Sequence, residues 1–242
     1  MKKTDTLLSM AIQSRFGVLF LTLVLVMFLP YFLPAPIARY GIPVLFSLVM
    51  LPALAAVADT RSQRMIGVAL ALPALLFIWL DLVPGDVTTY LRIVFTLAFL
   101  VYVALAIFRH ILRAREVDVT TIFAAISVYF LLAYIWSNAY ALLELASPGS
   151  VSITALGTET GFDKIASSGY LTYFSFVTLT TLGYGDVTPA SDLARVMAVN
   201  EAALGQLFLV VLVARLVGLH TSQDYAEYQA EKARHIESSD SG

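Results

Sequence analysis

Apolar residues run along this chain in long blocks. They show neither the period-two alternation of a half-buried strand nor the one-sided stripe of a soluble helix. A helix needs about 20 mostly apolar residues to cross a ~30 Å hydrocarbon layer. Six blocks meet that requirement, at 16–33, 42–58, 65–83, 90–108, 120–145 and 193–219. A seventh, 168–180, is shorter and more polar. It predicts a helix that enters the membrane without crossing it, with Ser167 or Ser168 capping its start. Pro52 and Pro73 fall inside the second and third blocks, where packed neighbours can absorb a kink. Residues 145–166, rich in Gly and Ser, predict an exposed loop, and Ser238 to Gly242 predict a disordered end.

Composition agrees with the blocks. Of 242 residues 59% are hydrophobic and 13% are charged, against about 25% charged in soluble domains. An integral membrane protein is expected. The first block continues to Leu33, beyond the ~7–15-residue apolar core of a cleaved leader, so it reads as a retained span. There is no cysteine, hence no disulfide or thiol chemistry, and a net charge of −2 without a basic cluster gives no sign of nucleic acid as a partner.

Lys and Arg set the orientation. With both termini cytoplasmic, that side holds Lys2, Lys3, Arg15, Arg61, Arg64, Arg109, Arg113, Arg115, Lys232 and Arg234, and the other holds Arg39, Arg92, Lys164 and Arg195. Arg215 lies near the inner end of the last block. The bias fits six crossings and places the end of the half-helix on the outer side.

Immediately beyond the half-helix the chain reads Thr180-Thr181-Leu182-Gly183-Tyr184-Gly185-Asp186. Two glycines there permit backbone conformations that a Cβ disfavours. This run, between two apolar blocks and after a polar-aromatic half-helix, resembles the selectivity filter of tetrameric potassium channels. The likeness is specific over 170–218 and looser over the fifth block; the first four blocks match only in number. Gly205, nineteen residues past Asp186, stands where many relatives have an inner-helix glycine, and Pro189 and Arg195 also fall on matching positions.

The resemblance implies an all-α membrane fold of six transmembrane helices with a re-entrant pore helix and a homotetrameric pore. It divides the chain into a cytoplasmic segment 1–15, a four-helix peripheral domain 16–115, a pore domain 116–219 and a short cytoplasmic tail 220–242. It implies potassium ions held by the carbonyls of Thr181, Leu182, Gly183 and Tyr184 with the Thr181 hydroxyl, and Gly185 closing the filter. Tyr173, Thr178, Thr180, Asp186 and Glu201 would support the filter. A Tyr173–Asp186 hydrogen bond is expected, with Thr178 as a partner for Tyr184. Phe174 stands where many relatives have a Trp donor, and Val177 where one has a Glu, so those contacts are missing. Gly205, Gln206, Leu209, Val213 and Val217 would share the cavity and gate face. No organic cofactor and no enzymatic role are implied, because no nucleophile constellation, metal cluster or nucleotide loop is present. A bacterial inner membrane suits so compact a chain.

Three points concern gating and assembly. Asn200 and Glu201 are polar positions inside the sixth block, and such residues face protein or water. Glu201 is either a proton sensor behind the filter or a buried hydrogen-bonding group reaching Ser175 or Asn138. Arg92 and Arg109 bracket an uncharged stretch of about 26 Å, so the fourth block lacks the arginine ladder of a voltage sensor, and Asp59 and Asp81 near the block ends read as interfacial. The link from His110 to Thr120 is short, which suits spans one to four packing against their own chain's pore. Alternatives are a weakly selective cation channel, disfavoured by the intact Gly-Tyr-Gly-Asp; a potassium transporter subunit, whose relatives carry four degenerate loops per chain; and a membrane sensor or scaffold that does not conduct.

Overall fold

A computed structural model describes residues 14–32, 35–57, 60–80, 86–114, 118–153 and 169–240. The order is α1 (Arg15–Phe28), a 3-10 turn (Leu29–Phe32), α2 (Ala35–Val57), α3 (Arg61–Leu80), α4 (Asp86–Arg113), α5 (Val119–Ala146), β1 (Val151–Ile153), α6 (Tyr170–Leu179), β2 (Val187–Pro189) and α7 (Asp192–Asp240). Among the described residues, four helices are long and apolar enough to cross a membrane: Arg61–Leu80, Val87–Arg113, Val119–Ala146 and Asp192–Arg215. Arg15–Phe28, Pro43–Val57 and Tyr170–Leu179 are shorter apolar helices.

Local signals start these helices. The Ser14 hydroxyl accepts from the Gly17 N–H at 2.8 Å and caps α1. Thr60 and Gln63 form a reciprocal capping box before α3, at 3.0 and 3.2 Å. Asp118 caps α5 by accepting from the Thr121 N–H at 2.8 Å.

The main core lies between α1, α2, α3, α4 and α5. On α4, Ile93, Thr96, Leu100, Val103, Ile107 and Ile111 are all buried, the three-and-four spacing of one helix face. On α1 the same spacing buries Phe16, Leu19, Leu23 and Val26. Hydroxyls of α5 reach the backbone of α1: Tyr134 donates to the Leu23 carbonyl at 2.9 Å, and Ser127 approaches the Phe16 carbonyl at 3.2 Å. Phe20 meets Phe130 edge-on at 5.5 Å. Thus α1 packs on the α5 of its own chain.

Several expectations need correction or fall outside the described residues. The apolar block 193–219 is part of a longer helix: α7 is 49 residues long, Asp192–Asp240. Good helix formers such as Gln229, Ala230, Glu231, Lys232 and Ala233 carry no breaker, so residues 238–240, expected to be disordered, remain helical. Ser167, Ser168, Asp59, Asp81 and most of the loop 145–166 lie outside the described residues. The residue that precedes α6 is Gly169, with φ 72° and no side-chain cap.

Candidate functional site

The end of α6 builds the site. Its last turn closes in a Schellman motif: the Leu182 N–H donates to the Val177 carbonyl at 2.9 Å, and the Thr181 N–H to the Thr178 carbonyl at 2.9 Å. The motif needs a left-handed residue after the cap. Here that residue is Thr181, φ 59°, where glycine is the usual choice. Among the described residues it is the one non-glycine with a positive φ. A left-handed non-glycine costs about 1–3 kcal/mol, and such strain gathers at ligand clamps. Gly183 follows with φ 61° and Gly185 with φ 82°, while Leu182 and Tyr184 keep φ negative. The hand of the backbone therefore alternates residue by residue through 181–185.

The segment faces away from its own chain. Residues 180–186 are all exposed, Leu182 at 54% and Tyr184 at 67%. The Thr180 hydroxyl turns back to the Phe176 carbonyl at 2.7 Å. Thr178 offers its carbonyl to Thr181, and no hydrogen bond joins its side chain to Tyr184. Tyr184 is 67% exposed and makes no such contact within this chain. Tyr173 on α6 donates to the Asp186 carboxylate at 2.7 Å, the contact expected for this pair.

Beyond Asp186 the chain is pinned by a short antiparallel ladder that pairs Val151 with Pro189, Ser152 with Thr188 and Ile153 with Val187. Behind the ladder, the buried Glu144 accepts from the Gly149 N–H at 2.6 Å and the Val151 N–H at 3.0 Å. Neither the ladder nor Glu144 was legible in the sequence. A three-residue strand carries no periodicity, and a carboxylate at the end of an apolar helix reads as interfacial.

Two residues of α7 meet α6. Gly205 is buried against its C-terminus: an added Cβ would overlap the Leu179 carbonyl oxygen and sit 2.9 Å from Leu179 Cδ1. The same carbonyl accepts from the Tyr129 hydroxyl at 3.3 Å. Glycine is thus required by close approach of α7 to α6. Glu201 is 0% exposed. Its carboxyl bonds Ser175 of α6 through a short contact and Tyr140 of α5 at 2.8 Å. Of the two partners suggested by the sequence, Ser175 is present and Asn138 is not, since Asn138 bonds the Tyr134 carbonyl at 2.8 Å. Tyr140 was missed; its ring also stacks edge-on against Phe174 at 4.9 Å.

The remaining expected positions stay open. Gln206, Leu209, Val213 and Val217 are exposed along α7, and the Asn200 amide donates to the Val196 carbonyl of its own helix, at 2.8 Å. Arg215, also overlooked, reaches the C-terminus of α4. It donates to the carbonyls of Ile111 at 3.2 Å and Ala114 at 2.9 Å, and by a further bond of 2.5 Å to Leu112. Orphan carbonyls at a helix end attract a guanidinium both as acceptors and through the helix dipole.

Among the described residues no three His, Asp or Glu side chains gather to hold a metal. What residues 181–185 can offer an ion is a row of backbone oxygens and one hydroxyl, at the C-terminal end of α6 where the helix dipole favours a cation.

Comparison with known proteins supplies a context for this geometry. Residues 117–221 match the family model described as ion channel. The Two pore potassium channel c of Oryza sativa subsp. japonica is 34% identical over 88 residues. That stretch is 36% of this chain and 17% of the relative's length. No solved structure matches. Residues 117–221 are thus similar to ion channels, and part of them to a segment of a protein named as a potassium channel. With the apolar helices, the ion-channel match marks an integral membrane protein.

Proposed function

We propose that this chain is one subunit of a homotetrameric, potassium-selective channel. The observation that carries the proposal is the alternation of backbone hand at Thr181, Gly183 and Gly185, directly after the Schellman closure of α6. The closure turns the N–H groups of Thr181 and Leu182 back onto the helix. Alternating hand beyond it lets successive carbonyls turn toward one side of the strand. Four such strands around an axis would replace the hydration shell of potassium with rings of oxygen from Thr181, Leu182, Gly183 and Tyr184. Gly185 ends the filter and Asp186, held by Tyr173, anchors its outer end.

A single chain cannot place such a strand in a bilayer. Irregular backbone at membrane depth is tolerated only when protein or water covers it, and residues 180–186 have neither from their own chain. One filter run per chain makes the unit four identical copies. In this reading α1, α2, α3, α4, α5 and α7 make six crossings, α6 is re-entrant, and both termini are cytoplasmic in a bacterial inner membrane. Gln206, Leu209, Val213 and Val217 line the cavity and gate. Each peripheral domain sits beside its own pore elements, supported by the bonds of Tyr134 and Ser127 to α1 and of Arg215 to α4 within one chain.

Gating is not strongly voltage-dependent in this reading. A charge crossing the whole field contributes about 2.3 kcal/mol per 100 mV, and α4 has no charged residue between Arg92 and Arg109.

Reconstituted protein in planar bilayers tests the proposal. Under mixed potassium and sodium gradients the reversal potential should follow potassium; a reversal potential near zero under bi-ionic conditions would refute selectivity. A conductance–voltage curve as steep as several charges per channel would refute weak voltage dependence.

A further inference from the structure

We propose that Glu201, Ser175 and Tyr140 form a one-proton binding site behind the filter, and that its proton fastens α6 and α7 to α5, so that potassium conduction falls as the proton is lost. The proposal rests on the channel reading above and adds its regulation.

Proton counting at Ser175 carries it. Its Oγ lies 2.7 Å from the Ala133 carbonyl oxygen of α5 and makes a short contact to Glu201 Oε1. A hydroxyl has one proton to donate, and a backbone carbonyl can only accept. With Ser175 donating to Ala133, the Glu201 contact is a hydrogen bond only when the carboxyl carries a proton and donates it to Ser175 Oγ. With Glu201 ionised, the carboxylate accepts the serine hydroxyl's hydrogen bond, and Ser175 Oγ then faces the Ala133 oxygen lone pair to lone pair. The Ser175 hydroxyl stands between two oxygens with one proton to give, and a proton on Glu201 is what satisfies both contacts. Tyr140 donates to Oε2 at 2.8 Å in either state and does not discriminate.

The surroundings leave Glu201 alone with that proton. From α5 the titratable groups facing it are Tyr140 and Tyr129. On α6, Ser175 is the contacting residue, Tyr173 is engaged by Asp186, and Tyr170 lies at the helix start. On α7, Arg195 pairs with Asp192 at 3.2 Å and Arg215 is spent on the end of α4. In the outer ladder Glu144 is held by backbone N–H groups. Among the described residues no cation pairs with Glu201.

The consequence is mechanical. In the protonated state a chain of donors runs Glu201 to Ser175 to Ala133 and ties three helices at one point. Removing the proton to water turns the Ser175–Ala133 contact from attractive to repulsive, and α6, which carries Thr181 at its end, loses its hold on α5.

Two measurements on the reconstituted full chain test this. Infrared spectra across a pH series should contain the carbonyl band of a protonated carboxylic acid that Glu201→Gln removes. Potassium current should fall with alkalinisation in step with that band. Glu201→Gln, whose amide can donate to Ser175 and accept from Tyr140 as the neutral acid does, should conduct potassium with the pH response lost. Ser175→Ala should keep the band and lose the coupling to current. A spectrum with no band assignable to Glu201, or a pH response unchanged in Glu201→Gln, overturns the proposal. A chain that passes no potassium-selective current refutes the channel reading instead, while the infrared arm still decides whether the proton is there.

Discussion

The peripheral region and the pore region of this chain bury their apolar side chains to different extents. Around α1 to α4, Phe16, Leu19, Ile93, Phe99 and Val103 are all 0% exposed. Along α7, Val196, Val199, Leu207 and Val210 are 58 to 70% exposed. Of the most apolar stretch of α4, 39% is buried, against 11% in the span Asp192–Arg215. Lipid can cover an apolar helix face at little cost, because tails are as apolar as leucine. It cannot cover the backbone of residues 180–186, which is exposed beside α7. One region has a fully buried core within a chain. The other leaves the apolar face of α7 and the backbone of 180–186 uncovered by its own chain.

The sharpest way to separate the two regions is to damage the strand alone. Gly183→Ala and Gly185→Ala meet no atom within 4 Å, so their cost comes from φ 61° and 82° and not from a clash. A Cβ in that left-handed region costs about 1–2 kcal/mol per residue, repeated four times in a ring. Each variant should abolish potassium-selective current and leave helix content and thermal unfolding of the chain unchanged, read by bi-ionic reversal potentials and circular dichroism. Loss of the fold in either variant would break the comparison, because it would show the strand stabilising the peripheral core.

The converse experiment damages the core alone. Phe99→Ala opens a cavity at a fully buried site and should destabilise by about 3–5 kcal/mol. Denaturation in detergent would show the lower stability, and channels that survive reconstitution should keep the wild-type reversal potential. A changed selectivity would mean that packing around α4 reaches residues 181–185.

Gly205→Ala attacks the seam between α6 and α7. The new methyl would overlap the Leu179 carbonyl, a backbone atom that cannot swing aside. Overpacking of this kind costs about 1–3 kcal/mol, and it should reduce potassium current per channel without shifting the unfolding of the peripheral core. Unchanged single-channel current would mean that α7 is free to step back from α6.

The order of the helices was legible because blocks of apolar residues declare themselves by length, and the run Thr180–Asp186 stood out because its composition is so constrained. The end of α7 was misread, since serine and aspartate near a terminus suggest disorder although no breaker precedes them. The contacts that organise the site were partly hidden. Tyr173 and Asp186 could be paired by resemblance, and Ser175 by its place on the half-helix. Tyr140 and Arg215 could not, because a tyrosine in an apolar span or an arginine near its end carries no sign of which carbonyl or carboxyl it will meet. The Schellman closure was hidden because threonine holds the position where glycine would have announced it.

The smallest expected effect lies at the start of α5, where the peripheral and pore regions join. Burial pushes the Asp118 carboxyl up, but hydrogen bonds from the Thr121 hydroxyl and N–H and from Thr120 outweigh it and hold the carboxyl below the usual carboxylate range. A lowered folded-state value means that the cap stabilises fully above the unfolded carboxylate value of about 3.9, and that this contribution is lost as pH falls through the folded value. Asp118→Ala should therefore cost about 1 kcal/mol near neutrality and nothing further in acid. Asp118→Asn keeps a capping oxygen and should remove the acid-dependent part alone. Unfolding of the three proteins in detergent at neutral and acid pH checks the pattern. The residue is exposed, so a larger loss in Asp118→Ala would show that the junction transmits strain from the peripheral helices into the pore, and that the two regions are less separable than their burial suggests.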